Sequence, residues 1–111
     1  MGFLFWYTDP MQIDLLDSVE AFIEGLTEKE IAKVIRTIEL LEEFENNLGM
    51  PHSKHIDAGL FELRIRGKRE VRIFYCFSKN KAILLHAFIK KTQKTPVKEL
   101  NKAMTAKNDL S

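Results

Sequence analysis

Basic side chains that could bind a phosphodiester are concentrated in the second half of the sequence. Arg64 and Arg72 lie in two neighbouring segments that alternate between apolar and polar residues, and a Lys90-Lys91 pair follows a third apolar segment. A guanidinium group can bind two phosphate oxygens at once, and an ammonium group adds a compact positive charge. We therefore expect these four residues to form a site for a polyanion such as RNA. Three lysines of the intervening loops would extend that site: Lys54, Lys68 and Lys94.

Cleavage of RNA by its own 2′-hydroxyl needs more than positive charge. A base must take the proton of the hydroxyl, cations must stabilise the charged phosphate, and an acid must protonate the leaving 5′-oxygen. Arginine can stabilise the phosphate, but it cannot act as a base at neutral pH. A lysine crowded by other cations can do so because like charges lower its pKa, and a histidine needs no such help.

Three histidines could supply this base. By its parity in the third apolar segment, His86 would face the side of Arg64 and Arg72, although a histidine in an apolar strand is more often a satisfied core residue. His52 and His55 precede the first hairpin strand, in a segment interpreted as a loop, where solvated histidines are common. The general base therefore stays open between a histidine and a lysine.

The alternation also assigns the aromatic residues near the arginines. Phe74 shares the face of Arg72 and is the candidate to stack on an unpaired base, whereas Tyr75 falls on the core side. Arg72 itself is expected to face solvent and to contribute little to the core. Its removal should then abolish any activity without unfolding the protein.

Charge is distributed unevenly along the chain, although the net charge is only +1. Residues 1–50 carry eleven carboxylates and three cations, whereas residues 51–111 carry five carboxylates and fourteen cations. A polyanion would be held by the second half and repelled by the first. The alternative is a chain with two oppositely charged, solvated faces, and charge alone does not decide between them.

Length and composition predict one globular domain over residues 1–111, located in the cytoplasm. The apolar start is short and lacks a basic leader, so we expect neither a signal peptide nor a membrane span. Cys76 is the one cysteine, which precludes an intrachain disulfide, and it is expected to be a buried structural thiol. No Cys/His cluster has the spacing of a zinc site and no glycine-rich phosphate loop occurs, so neither a metal nor a cofactor is expected.

The first half predicts a strand at residues 3–7 and then two helices. The first helix is expected at residues 13–24 and is ended by Gly25. The second starts at Thr27, since Thr27 and Glu30 have the spacing of a capping box. Together the two helices predict an antiparallel hairpin on an apolar surface. The apolar stripe of the second helix is predicted to contain Ile31, Val34, Ile35, Ile38 and Leu41.

The second half begins with a predicted β-hairpin made of residues 60–66 and 69–77, with Gly67 in its turn. A three-residue loop would pair Ile65 with Arg69 and would keep apolar and polar side chains on separate faces. A two-residue loop would mix them. We therefore expect the three-residue loop, with the two strand arginines on one face.

The remaining elements complete an α+β domain. Residues 82–89 are apolar on both faces, as in a central strand covered on both sides. Thr95-Pro96 is a favourable start for a short helix at residues 96–105, followed by a loose tail at 106–111. The expected fold is a twisted, antiparallel-rich sheet covered on one face by the helical hairpin. The other face is expected to be partly open and to carry the arginines.

Four segments of the second half occur in a characteristic order: Ser53-Lys54-His55-Ile56, Gly59-Leu60-Phe61-Glu62-Leu63-Arg64, Arg72-Ile73-Phe74-Tyr75, and His86-Ala87-Phe88-Ile89-Lys90-Lys91-Thr92-Gln93-Lys94-Thr95-Pro96. Together with the helical hairpin, they resemble the RelE/HigB toxin superfamily, and specifically its phage-derived HigB-like branch. The second segment and the end of the fourth are specific in combination, whereas each alone would be weak.

This resemblance implies a RelE-like fold and the toxin of a type II toxin–antitoxin system. Such a toxin is a ribosome-dependent endoribonuclease that cuts mRNA in the decoding site, without a metal, by attack of the 2′-hydroxyl on the adjacent phosphate. The resemblance also implies a cognate helix-turn-helix antitoxin of the HigA type. That partner would neutralise the toxin and repress the operon, so that operator DNA is contacted only through the antitoxin.

Residue roles transfer unevenly from the resemblance. Arg72 matches the family's sheet arginine that stabilises the phosphate transition state, and Arg64 falls where a catalytic basic residue lies on the first hairpin strand. Lys90 or Lys91 falls near the cation proposed as general acid. Glu62 replaces a family lysine, and this departure leaves the general base unassigned.

Two other functions compete with a nuclease. The first is a RelE-like protein that has lost catalysis and only binds its antitoxin or RNA. The second is a phage protein that binds a host enzyme through the acidic helices. Retention of the strand arginines and of the lysine pair favours the nuclease over the first of these, and an adjacent gene for a helix-turn-helix protein would favour a toxin over the second.

Overall fold

A computed structural model describes residues 11–110, so the strand predicted for residues 3–7 lies outside the described part. The elements are β1 (Gln12–Leu15), α1 (Asp17–Glu24), α2 (Glu28–Phe44), a short 3-10 helix (Glu45–Asn47), β2 (Ser53–Asp57), β3 (Leu60–Ile65), β4 (Glu70–Ser78), β5 (Lys81–Lys90) and α3 (Val97–Asn108). Within the described residues the strands form one sheet in the order β1-β5-β4-β3-β2. β1 runs parallel to β5, and the other neighbours are antiparallel. The predicted α+β class is confirmed.

Two predicted helix boundaries and one predicted loop were wrong. Ile13 and Leu15 belong to β1, because they pair with β5 and pack against its core side, and α1 begins only after Leu16. β2 is a strand where the sequence predicts a loop, because its mostly polar and exposed residues carry no apolar alternation. α3 extends beyond its predicted end through Asn108, where Ala106 still packs against the sheet.

The start of α2 forms as predicted. The Thr27 hydroxyl accepts a hydrogen bond from the Glu30 amide at 3.2 Å, and the Glu30 carboxylate accepts one from the Thr27 amide at 3.0 Å. Val34 and Leu41 are fully buried against the sheet. Ile35 was placed on the same stripe, but it is 51% exposed, because it lies about 100° around the helix from Val34.

The β3–β4 hairpin has the predicted faces but not the predicted register. Ile65 pairs with Val71, not with Arg69, and Arg64 pairs directly with Arg72. A shift of two residues preserves side-chain parity, so the apolar and polar sets still separate. The longer loop is attached to α2 by Arg69, whose guanidinium group donates to both oxygens of Glu30 at 2.6 and 2.8 Å.

Apolar side chains pack on both faces of the sheet. On one face α1 and α2 cover a cluster that includes Leu63, Ile73 and Leu84. On the other face α3 covers a smaller cluster that includes Phe74 and Leu85. β5 contributes to both clusters, as predicted for a doubly covered strand. The second cluster also contains Cys76, which is buried as expected, and burial raises the pKa of its thiol.

α3 covers only part of the second face. The uncovered part lies towards the β3–β4 loop and the end of β5, where the polar side chains of the hairpin project. None of the helices within residues 11–110 has the length and apolar character needed to cross a membrane.

Candidate active site

Five cationic side chains line one depression at the uncovered end of the sheet. They are Arg64, Arg66, Arg72, Lys90 and Lys91, and they share the depression with Glu70, Thr92 and Gln93. Its volume is about 770 Å³. The predicted convergence of the two strand arginines with the lysine pair is therefore observed, with Arg66 as an additional member.

Strand register explains this convergence. Arg64 on β3 lies opposite Arg72 on β4, and Glu70 on β4 lies opposite Lys90 on β5. Directly opposed residues on antiparallel strands have neighbouring side chains on one face of a sheet. The chain leaves the sheet after Lys90, which places Lys91 at the edge of the same depression.

Glu62 lies next to the two strand arginines, and the sequence predicted no role for it there. Its side chain is 1% exposed, and one carboxylate oxygen lies 3.2 Å from Nε of Arg64 and 3.8 Å from Nε of Arg72. The other oxygen accepts a hydrogen bond from the Thr95 hydroxyl at 3.3 Å. A buried carboxylate thus lies beneath the arginine pair and connects it to the segment that leads into α3. The alternation placed Glu62 on the arginine face, and this was the available signal.

Arg72 does not face solvent, contrary to the sequence-based expectation. It is only 4% exposed, because its strand lies between β3 and β5 and Phe88 lies directly opposite. One terminal nitrogen donates to Glu70 at 3.0 Å and the other to the Val71 carbonyl at 3.3 Å. Its Nε is buried and has no hydrogen-bond partner among the described residues. An alanine at this position would therefore disturb packing as well as charge.

Glu70 competes with any phosphate for Arg72. Burial alone would raise the pKa of Glu70, but the hydrogen bond from Arg72, the bond from the Gly67 amide and the nearby charge of Arg66 together hold it below its usual value. Glu70 is therefore an anion at neutral pH. Its side chain is 33% exposed, so a phosphate can approach Arg72 beside it or displace it.

His86 is not part of the depression. It faces the arginine side of the sheet, as its parity predicted, since it lies opposite Phe74. However, its Nε2 lies 2.9 Å from a carboxylate oxygen of Glu99 on α3, and its ring stacks on Phe88. Phe88 separates His86 from Lys90 along the strand.

Phe74 cannot stack on a base in this structure. The ring is fully buried and stacks on Phe88 with centroids 5.5 Å apart, under the cover of α3. The expectation that it is an exposed platform was wrong, because the sequence did not show that α3 covers this part of the sheet. Tyr75 is buried on the other face, in the core cluster, as predicted.

The three predicted loop lysines lie outside the depression, and all are exposed. Lys54 is on β2 opposite Glu62, Lys68 is in the β3–β4 loop, and Lys94 is in the segment before α3. His55 contacts Phe61 edge to face on β2 and β3. His52, in contrast, lines a groove that also contains Arg64.

No three His, Cys, Asp or Glu side chains of residues 11–110 are grouped so that they could hold a metal ion. The chemical resources of the depression are therefore positive charge, one carboxylate and the hydrogen-bonding groups of Thr92 and Gln93.

Comparison with known proteins identifies the family. The family described as "Phage derived protein Gp49-like (DUF891)" matches residues 21–108, which include every residue of the depression. The chain belongs to this family. No match to a curated protein was found.

A solved structure similar to this Gp49-like chain is the toxin–antitoxin complex RelBE2 from Mycobacterium tuberculosis. The TM-score is 0.57 at 17% sequence identity, and the match covers 73% of this chain and 99% of the other. At this identity the similarity establishes the fold. The RelE-like fold predicted from the sequence is confirmed.

Proposed function

We propose that this Gp49-like protein is the toxin of a type II toxin–antitoxin system and that it cleaves mRNA on the ribosome. The observation that carries the proposal is the depression in which three arginines and two lysines converge. The family match and the RelE-like fold support it. A cavity of this size with several cations of two chemical types suits a phosphodiester whose charge increases during reaction.

The reaction is attack of the RNA 2′-oxygen on the adjacent phosphorus. The bond from phosphorus to the 5′-oxygen breaks, which leaves a 2′,3′-cyclic phosphate and a 5′-hydroxyl. Arg64 and Arg72 stabilise the additional negative charge on the phosphate oxygens, and Glu62 beneath them keeps their guanidinium groups oriented. The ammonium group of Lys90 or Lys91 protonates the leaving 5′-oxygen.

The depression provides charge but no histidine among its lining residues. Proton removal from the 2′-hydroxyl therefore falls to a lysine, to the Glu70 carboxylate or to a group outside the protein. This supports dependence on the ribosome, which would orient the 2′-oxygen for in-line attack. Free RNA should be cut poorly and ribosome-bound mRNA well.

The proposed partners follow from the proposed class. They are the ribosome with its mRNA, in the cytoplasm, and a cognate helix-turn-helix antitoxin of the HigA type. The antitoxin would neutralise the protein and would carry the contact with operator DNA.

A matched pair of lysine variants tests the cleavage proposal. Lys91 lines the depression, whereas Lys94 is an exposed lysine three residues later that does not line it. We expect Lys91→Gln to reduce cutting of translated message by roughly 100-fold, within the usual range for a general acid. Lys94→Gln should change cutting by less than about threefold, since a single rim charge has a small effect. Primer extension on translated message, together with growth arrest on induction, measures both.

Two results would contradict this proposal. Cutting by both Lys90→Gln and Lys91→Gln at the level of Lys94→Gln would show that the depression is not where the reaction occurs. Efficient cutting of free RNA by the parent protein would show that the ribosome is not required. Neither test replaces Arg72, because its side chain is buried and its replacement would also disturb packing.

One observation favours a second candidate, a RelE-like protein that binds RNA or its antitoxin without cutting. Arg64 and Arg72 are each engaged by carboxylates of the chain itself, Glu62 and Glu70. If these ion pairs persist in the complex, the arginines cannot stabilise a transition state. Binding of an uncleavable oligonucleotide without any cutting of translated message by the parent would identify this case.

A further inference from the structure

A second basic groove adjoins the depression on the side of α2. It has a volume of about 400 Å³ and contains Lys33 and Arg36 from α2 together with Arg64 and Arg66 from the hairpin. The two arginines of the hairpin also line the depression, so the two surfaces are continuous. His52 lies at the same groove, and no carboxylate is among its lining residues.

The α2 cations of this groove come from the acidic half of the chain. Val34, Thr37 and Leu41 are buried against the sheet. Lys33 and Arg36, three residues apart, are exposed on the side of the helix that lies next to β3. The sequence predicted that this half would repel a polyanion. The structure shows instead that two of its three cations face the groove.

The two side chains are differently constrained. Nζ of Lys33 donates to the carbonyl of Arg66 at 3.4 Å, which holds the ammonium group beside the hairpin loop. Arg36 has no ion pair with a carboxylate of residues 11–110. Both charges are therefore available to an external anion at little cost in existing contacts.

The neighbouring depression at the start of α2 is a poorer site. It contains Lys29 and Lys68 and shares Lys33 and Arg66 with the groove, but it also contains Glu28 and Glu30. Its other arginine, Arg69, is held by both oxygens of Glu30. The two glutamates offset part of the positive charge there, whereas the groove between α2 and β3 has no carboxylate among its lining residues.

We propose that the groove between α2 and β3 binds the backbone of the RNA segment next to the one held in the depression. The proposal rests on the proposed function for the class of ligand, single-stranded RNA. Arg64 and Arg66 contact the strand where it passes between the two sites, and Lys33 and Arg36 bind the phosphates that follow. The groove contributes affinity and position, and it takes no part in the chemical step.

The test uses uncleavable 2′-O-methyl oligonucleotides of about four and about twelve nucleotides, which span the site sizes usual for one domain. The shorter one can fill only the depression, whereas the longer one can reach the groove. Binding to Lys33→Gln/Arg36→Gln is measured by fluorescence anisotropy as salt is raised. The control is Lys79→Gln/Lys98→Gln, which removes two exposed cations from the β4–β5 turn and from α3.

For the longer oligonucleotide the groove variant should lose two ionic contacts. The slope of log affinity against log salt should then become shallower by about 1.4, since each single-strand phosphate contact contributes about 0.7. For the shorter oligonucleotide the slope should stay unchanged. The control variant should match the parent with both, and equal thermal unfolding midpoints show that the variants are folded. If the double variant is unstable, Arg36→Gln alone should lower the slope by about 0.7.

The other outcomes overturn the inference. An unchanged slope with the longer oligonucleotide shows that the groove does not touch RNA. An equal change with both lengths shows that α2 contributes to the depression itself and forms no separate site. Absence of binding to either oligonucleotide also rejects the groove, while cut-site mapping on translated message tests the nuclease independently. If the salt dependence changes as expected but the protein never cuts translated message, RNA binding by the groove is supported and the nuclease activity is excluded.

Discussion

At the scale of single residues, Glu62 decides how the cationic site is built. Arg64 and Arg72 face each other across two strands, an arrangement in which like charges repel. The buried carboxylate of Glu62 lies within 3.2 and 3.8 Å of their Nε atoms and offsets that repulsion. It therefore stabilises the fold and orients the groups that would bind a phosphate.

Replacement of Glu62 with Gln keeps the shape of the side chain and removes its charge. We expect the free energy of unfolding to fall by about 3 kcal/mol, because breaking a buried ion pair leaves its partners uncompensated. Glu70→Gln is the matched control, since Glu70 also pairs with Arg72 but is 33% exposed, and it should cost less than about 1 kcal/mol. Denaturant titration at neutral pH measures both, and equal losses would refute a special role for Glu62.

The sequence could predict the cations of the site but not their burial. Arg64, Arg72 and the lysine pair were predictable, because alternation assigns side chains to faces whatever the exact register. The burial of Arg72 was not predictable, since it depends on Phe88 from a strand that is distant in sequence. The alternation also places Glu62 on the arginine face, but its burial and its contacts with both arginines depend on strand pairing and were not predictable.

At the scale of elements, the contact between α2 and the β3–β4 loop depends on Glu30. One carboxylate completes the capping box with Thr27 and also accepts two hydrogen bonds from Arg69. The start of α2 and the turn of the hairpin are thereby joined next to the proposed RNA groove. The hydrogen bonds from Arg69 first, and then the one from the Thr27 amide, lower the pKa of Glu30 from 4.5 to about 2.

This contact predicts a pH-dependent stability. Because the folded carboxyl binds a proton less readily than the unfolded one, its contribution is complete above pH 4.5 and is lost as the pH falls from 4.5 towards about 2. Glu30→Gln should therefore show a smaller fall in the free energy of unfolding across this window than the parent. Glu28→Gln, in the same turn of α2, should follow the parent. Urea titrations at several pH values measure the slopes, and parallel curves for Glu30→Gln and the parent would exclude the contact.

Elements that depend on local pattern were predictable, and those that depend on pairing were not. The capping box fixed the start of α2, and alternation identified β3, β4 and their faces. β1 was mistaken for the start of a helix, because only its parallel pairing with β5 reveals it as a strand. The hairpin register also escaped prediction, since a longer loop gives the same faces as a three-residue loop.

At the scale of the whole molecule, charge is divided by surface more than by position in the sequence. The acidic half contributes Lys33 and Arg36 to the basic groove. Its carboxylates at Glu39 and Glu43 follow three and seven residues after Arg36 on the same side of α2. The positive surface therefore meets a negative rim at the far end of the groove.

This arrangement predicts that the carboxylates of the negative rim slow the association of RNA but do not change its dissociation rate. Glu39→Gln/Glu43→Gln should raise the association rate of a long uncleavable oligonucleotide several-fold at low salt, because fewer repulsive charges oppose its approach. The dissociation rate should stay unchanged, and the gain should disappear once the Debye length falls to about 3 Å near 1 M salt. Stopped-flow binding separates the two rates. A slower dissociation would mean that bound RNA extends past Arg36 and lies against the acidic end of α2, so that the groove would be longer than the cations of Lys33 and Arg36 define.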